Sequence, residues 1–422
     1  MGDVISGIVG LTGLILIGLA FSRHRRQVDW RTVLTGVLLQ ILFGAFVILT
    51  PLGSRVFDAL ASFFITVIEF SRAGAMFIFG GLSEQESSFG FIFAFQVLPT
   101  IIFFASLMAV LYHLGVMQKV VGSMAWVMRK FMRVSGAESL AVAANVFVGQ
   151  TEAPLVVRPY IARMTQSELL TMMVAGMATI AGAVLAAYIA LLGGDSDQEK
   201  LFFAKHLLSA SIMAAPATIV IAKLLIPETG ESLTMGSVKF EVEKTAHNAI
   251  EAAANGAGDG WRLAMNVGAM LLAFIALIAL VNWPLEWLGQ VTGLNEMLGK
   301  PLNLAVILGY LLAPLAWLIG VPTADITTVG SLIGQKLVAN EFIAYAAFSE
   351  IQNEMSDKAR LITTYALCGF ANFSSIAIQI GGIGPLAPDR RSEIAAFGLR
   401  AVLGGTLVSM MTATIAGVLH SF

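Results

Sequence analysis

Three short polar stretches stand inside apolar segments of the chain, and their side chains are of the kinds that hold a ligand. The first reads Ala144-Asn145-Val146-Phe147-Val148-Gly149-Gln150-Thr151-Glu152-Ala153-Pro154-Leu155. The second is Ala339-Asn340-Glu341-Phe342-Ile343-Ala344-Tyr345, and the third Cys368-Gly369-Phe370-Ala371-Asn372-Phe373-Ser374-Ser375. Together they offer carboxylates, amides and hydroxyls beside aromatic and aliphatic groups. A carboxylate can accept two hydroxyl protons, and Gln and Asn can pair with amide-like edges. The set therefore suits a neutral, polyhydroxylated ligand with a flat face. An anionic ligand would call for arginine, and only Arg158, beside Arg163, lies near either carboxylate. No HExxH, GxSxG or phosphate-binding glycine loop is present, which argues against an intramembrane hydrolase or an ATP-driven pump.

The background explains why these residues stand out. Of 422 residues, 57% are hydrophobic and only 12% charged, and mean hydropathy is +0.83. A soluble domain carries about 25% charged residues, so the chain reads as an all-α polytopic membrane protein. A net charge of −2 excludes a nucleic-acid binder. The single cysteine, Cys368, excludes an internal disulfide and any CxxC site. A carboxylate at membrane depth costs roughly 2.5–3.5 kcal/mol, so Glu152 and Glu341 should both have partners.

Eight apolar runs are candidate spans: Val4–Phe21, Val33–Leu49, Phe91–Leu114, Leu170–Leu192, Leu201–Ile226, Leu263–Val281, Leu361–Ile380 and Ile394–Val418. Arg23, Arg25 and Arg26 follow the first run, which is the wrong polarity for a cleaved signal peptide. They place its C-terminal end in the cytoplasm. Lys119, Arg129, Lys130 and Arg133, and then Arg390 and Arg391, also fall inside, whereas the acidic loop Asp195–Lys200 falls outside. Arg55–Arg72 and Lys119–Arg133 are amphipathic and read as interfacial helices. Pro227–Gly260 reads as a cytoplasmic loop with one short helix.

The order span, amphipathic stretch, interrupted segment, two spans occurs twice. The interrupted segments carry Gly149 and Pro154 in the first copy and Gly320 and Pro322 in the second, the latter within Leu302–Leu337. They start on opposite sides of the membrane, as expected of an inverted repeat with two re-entrant helical hairpins and a site near the midplane. Gly176-Met177-Ala178-Thr179-Ile180 parallels Gly369-Phe370-Ala371-Asn372-Phe373. Asp325 would cap the return helix of the second hairpin. His113 reads as an interface residue, and Tyr160 and Tyr188 as ordinary membrane aromatics.

At Gly149–Leu155, Asn340-Glu341-Phe342 and Gly369–Ser375 the chain resembles the bacterial concentrative nucleoside transporters, over nearly its whole length. The resemblance implies a homotrimer in the bacterial cytoplasmic (inner) membrane, importing nucleosides such as uridine with sodium by an elevator-like motion. It implies a scaffold part in residues 1–116 and a transport part in 117–226 and 301–422, with 227–300 holding the loop and a scaffold span. Gln150, Thr151 and Glu152 would face the nucleobase, with Val184 near it. Glu341, Asn372 and Ser375 would hold the ribose hydroxyls, and Phe370 would line the pocket. Sodium would sit on the Asn145 and Thr179 side chains and the carbonyls of Val148 and Ile180. Four such oxygens suit a hard cation. A proton remains the alternative coupling ion, and another small neutral solute the alternative cargo.

Overall fold

The computed structural model describes residues 2–84, 91–194, 196–235 and 246–422. Asp195 of the acidic loop and residues 236–245 of the soluble segment lie outside the described residues. Among those described, the chain is helical, with no strand. Its main helices are α1 (Gly2–Ala20), α2 (Trp30–Leu49), α3 (Pro51–Phe79), α4 (Leu98–His113), α5 (Val116–Met132), α6 (Gly136–Asn145), α7 (Gln166–Ala178) and α8 (Gly182–Gly193). Then come α9 (Asp197–Leu225), α10 (Ala249–Val291), α11 (Leu304–Leu318), α12 (Ile326–Val338), α13 (Glu341–Ile351), α14 (Asp357–Leu367), α15 (Phe373–Ile383) and α16 (Arg391–Leu419). The buried centre is made by α7, α8, α9 and α16, with α1 and α2 packed on α9 and α16.

Charge marks the two ends of this bundle. At the Leu225 end of α9, the Arg23 backbone N–H bonds the Leu225 carbonyl and Arg390 donates to the carbonyls of Ile161 and Met164. Thr32, just past the basic block at Arg23–Arg26, donates to the Met132 carbonyl at the end of α5. The basic clusters thus share one end, the cytoplasmic one by the positive-inside rule. At the other end Lys358 pairs with Asp3, and Arg360 with Glu199.

Among the described residues, eight helical stretches are long and apolar enough to cross a membrane, but they are not the eight read from sequence. Pro51–Ser83 qualifies by length and hydropathy, whereas Leu361–Ile380 is broken into α14 and α15. The contacts of α3 nevertheless keep it at one level. Asp58 pairs with Lys205 at 2.9 Å, and Ser71 Oγ lies 3.1 Å from Thr100 Oγ1. Glu69 and Arg72 line one cavity with Thr100 and Lys200. The helix between Asp58 and Ser71 is about 20 Å long, yet its contacts there stay in the outer halves of α4 and α9, Phe64 reaching Phe104 and Asp58 reaching Lys205. A helix lying across the ends of others has the interfacial placement its amphipathic sequence predicts.

The polar segment after α9 is shorter than expected. Its last part, from Ala249, is the start of the long helix α10. Gly256 and Gly260 there lie against Ala105, Ala109 and Ile102 of α4, and Ser106 donates to the Ala253 carbonyl at 2.8 Å. The glycines that look like loop composition let two backbones approach, as small residues four apart do between membrane helices.

Both hairpins are present, the second displaced from its predicted position. Hairpin 1 runs from Ser135 through α6, a tip at Val146–Glu152 and two short turns of helix to Met164. Both of its ends lie at the cytoplasmic end: Glu138 pairs with Lys223, and Met164 with Arg390. Hairpin 2 is α12–α13, with its tip at Ala339–Asn340. Its ends lie together at the opposite face, where Asp325 accepts from Ser356 and Gln352 donates to the Leu192 carbonyl. The Gly320–Pro322 turn is a half-buried connection between α11 and α12, packed near Ser6 of α1, and is not the tip. Asp325 precedes α12 without a side-chain cap bond, because its carboxylate is taken by Ser356.

Candidate functional site

Each hairpin tip meets a break in a neighbouring helix. α7 stops at Ala178 and α8 starts at Gly182; α14 stops at Leu367 and α15 starts at Phe373. Gly369 has φ +131°, a conformation that side chains rarely adopt. A Cβ there would stand 2.9 Å from the carbonyl oxygens of Met177 and Ala178, so the two breaks touch. Gly176 is a second close approach: a Cβ would lie 2.8 Å from that of Gln150.

One hydrogen-bonded chain joins four of the predicted ligand residues. Glu341, only 4% exposed, accepts from Tyr188 Oη at 3.1 Å and from Asn372 Nδ2 at 2.9 Å. Asn372 Oδ1 caps α15, accepting from the Ser375 backbone N–H at 2.9 Å and from Ser374 Oγ at 2.7 Å. Gln150 Nε2 closes the chain by donating to Ser375 Oγ at 3.2 Å. Asn340 likewise caps α13 through Ile343. Both asparagines start helices at a break because their short side chains satisfy the free N–H groups there. Each Glu341 oxygen has one side-chain donor among the described residues, and a carboxylate oxygen can take a second.

Thr151 donates to Glu152 at 2.9 Å, and its methyl group lies against Gly382 of α15. Glu152 folds back over Gly149 but is exposed on the chain's surface, unlike Glu341. The expectation of two buried carboxylates therefore holds for one. Val184 is buried in the first turn of α8, and Phe370, half-buried, lies within the second break.

Two of the four predicted sodium ligands, Asn145 and Thr179, meet at the first break. Thr179 Oγ1 lies 2.7 Å from the Asn145 carbonyl and 2.9 Å from that of Ala175, and the Gly182 N–H bonds the Phe147 carbonyl at 3.0 Å. With its proton spent on a carbonyl, the Thr179 oxygen keeps lone pairs for a cation. Asn145 is 1% exposed; its Nδ2 donates to Ala141, while Oδ1 has no hydrogen-bond partner among the described residues. Gln150 Oε1 is likewise buried and unpartnered. Buried acceptors are rarely left unpaired, so hairpin 1 presents two oxygens that call for a ligand.

Sequence reasoning passed over two members of this site. Tyr188, read as an ordinary aromatic, is fully buried against Phe342 and Tyr345 and bonds Glu341. It lies four residues from Val184, on the same helix face. Gln379 donates to the Met173 carbonyl at 2.8 Å and lies beside Gly176. Asn372, Ser375 and Gln379 form a polar stripe at helical spacing, a signal that was available.

Comparison with known proteins decides the family. Residues 206–417 match the family described as "Na+ dependent nucleoside transporter C-terminus", residues 9–82 its N-terminus, and residues 94–195 the family described as "Nucleoside recognition". The chain belongs to the Na+-dependent nucleoside transporter family. It is 47% identical over 416 residues to the uncharacterized transporter YutK of Bacillus subtilis, covering 98% of this chain and 99% of that one. It is 40% identical to sodium/nucleoside cotransporter 1 of Mus musculus, over 97% of this chain and 63% of the longer mouse protein. Its fold is similar to that of CNTnw in an inward-facing substrate-bound state, with a TM-score of 0.90 and 43% identity, covering 99% and 98% of the two chains. A substituted CNTnw in an outward-facing state matches with a TM-score of 0.89 and 42% identity. The Na+-dependent nucleoside transporter family comprises transporters, not enzymes, and the eight apolar helical stretches accord with membrane residence.

Proposed function

We propose that this chain imports nucleosides across the bacterial inner membrane as a homotrimer, driven by sodium and working by an elevator-like motion. The observation that carries this reading is the chain Tyr188–Glu341–Asn372–Ser375–Gln150, formed where two oppositely entering hairpins meet two broken helices. Glu341, Asn372 and Ser375 hold the ribose hydroxyls in this reading; Gln150, Thr151 and Glu152 address the base, with Val184 and Phe370 packing against it. Sodium is held by Asn145, Thr179 and the carbonyls of Val148 and Ile180. The partnerless Asn145 Oδ1 supports that assignment. Sodium there ties hairpin 1 to the break at Thr179, and so favours the arrangement in which Gln150 reaches Ser375. A ligand shifts states only through such differential affinity.

The moving part is drawn differently from the sequence-based division. Because α1 and α2 pack on α9 and α16, they travel with the hairpins, leaving α4 and α10, packed along one another, as the static frame. Labelled uridine uptake into proteoliposomes, with and without an inward sodium gradient, tests the proposal. Sodium-stimulated uptake is expected. Uptake driven by a proton gradient and indifferent to sodium, or no nucleoside uptake, refutes it.

A further inference from the structure

Lys336 is a buried cation with no carboxylate at salt-bridge distance among the described residues. It sits in the α12 limb of hairpin 2 and is 2% exposed. Its ammonium donates to the Ala366 carbonyl at 2.9 Å and to Ser409 Oγ at 3.1 Å. Among the described residues no carboxylate lies within 4.0 Å of it. Burying an ammonium costs several kcal/mol unless something compensates.

The broken helix supplies compensation, beside the longer-range charge of Glu341. Ala366 lies in the last turn of α14, whose terminal carbonyls face the break, and such an end carries roughly half a negative charge. Across the same break, Asn372 starts α15 and donates to Glu341, at an end carrying roughly half a positive charge. The two halves of one broken helix therefore hold a cation at one end and an anion at the other, and both come from hairpin 2.

The first repeat has the matching break but a different filling. At the C-terminal end of α7 stand Thr179, the Asn145 carbonyl and the partnerless Asn145 Oδ1, all of them oxygens. We propose that Lys336 is the tethered cation of the second repeat. Its ammonium takes, at the end of α14, the place that exchangeable sodium takes at the end of α7. One cation position is then filled covalently, and only the other couples to the gradient. This rests on the sodium reading above.

The test is sodium-dependent uridine uptake in proteoliposomes, comparing wild type with Lys336→Ala, Lys336→Met and Lys336→Arg. Replacement by Ala opens a hole lined by the Ala366 carbonyl and Ser409 Oγ, which a second sodium can enter. Its half-saturating sodium should rise about tenfold, and its Hill coefficient should move from about one toward two. Met fills the hole without charge, so uptake should stay low at every sodium concentration. Arg keeps the charge and should keep the wild-type slope. Ala and Met variants that behave alike, or either with the wild-type sodium curve, overturn the assignment. If neither neutral variant assembles, the wild-type reversal potential decides: one sodium per nucleoside supports it, and two overturn it. Wild-type uptake without sodium dependence is a different failure, removing the premise along with the proposed function.

Discussion

Replacing Glu341 by Gln tests the ribose assignment most directly, because the structure separates its effect on folding from its effect on ligand. In the folded chain Glu341 needs to satisfy only Tyr188 Oη and Asn372 Nδ2. A glutamine can turn its carbonyl oxygen to Asn372 and its amide to Tyr188, whose hydroxyl can accept as well as donate. The fold should therefore persist, with an unchanged size-exclusion profile and a similar melting temperature. The ligand loses more. A hydrogen bond to a charged acceptor is worth about 1.5–3 kcal/mol, so nucleoside affinity should fall about 10- to 150-fold. Calorimetric titration of uridine into the purified protein reads this directly. A uridine analogue lacking the 2′ and 3′ hydroxyls of its sugar provides the control, since it should bind wild type and Glu341→Gln alike. Affinity for uridine within about threefold of wild type, in a folded variant, would refute the assignment.

Other substitutions probe the remaining parts. Asn145→Ala together with Thr179→Ala should abolish sodium stimulation of uptake while nucleoside binding persists at reduced affinity; a sodium curve unchanged from wild type would reject the cation site. Gly369→Ala forces a side chain into a backbone conformation with φ +131° and against the end of α7. It should cost about 1–3 kcal/mol of stability, read as a lower melting temperature in detergent. Lys223→Met removes the partner 2.8 Å from Glu138 at the base of hairpin 1. Leaving that carboxylate buried should cost about 3–5 kcal/mol, and Lys223→Met with Glu138→Leu should recover much of it.

Much of the architecture was legible because the membrane makes charge expensive. Basic blocks at Arg23–Arg26, Arg129–Arg133 and Arg390–Arg391 assigned the cytoplasmic end, and the structure gathers their segments there. The polar stretches also marked the site. Gln150, Glu341 and the neighbouring Asn372 and Ser375 come from three separate stretches of sequence yet are joined by hydrogen bonds. Local sequence was weakest where one composition serves two purposes. Gly256 and Gly260 look like loop glycines until a second helix is laid against them, and Gly320-Val321-Pro322 looks like a hairpin tip although it only connects α11 to α12.

Sequence by itself determined which groups are costly to bury and in what order the apolar elements come, since residue type sets both transfer cost and helical length. Tertiary structure alone decided which of those groups is buried. Glu341 is enclosed by Tyr188 and Asn372, whereas Glu152, in an equally apolar stretch, is exposed. It also decided that Lys336, unremarkable in sequence, ends in the interior against Ala366 and Ser409. Burial and partnership depend on elements 30 to 153 residues away, and no local spacing encodes which helix end a side chain will meet.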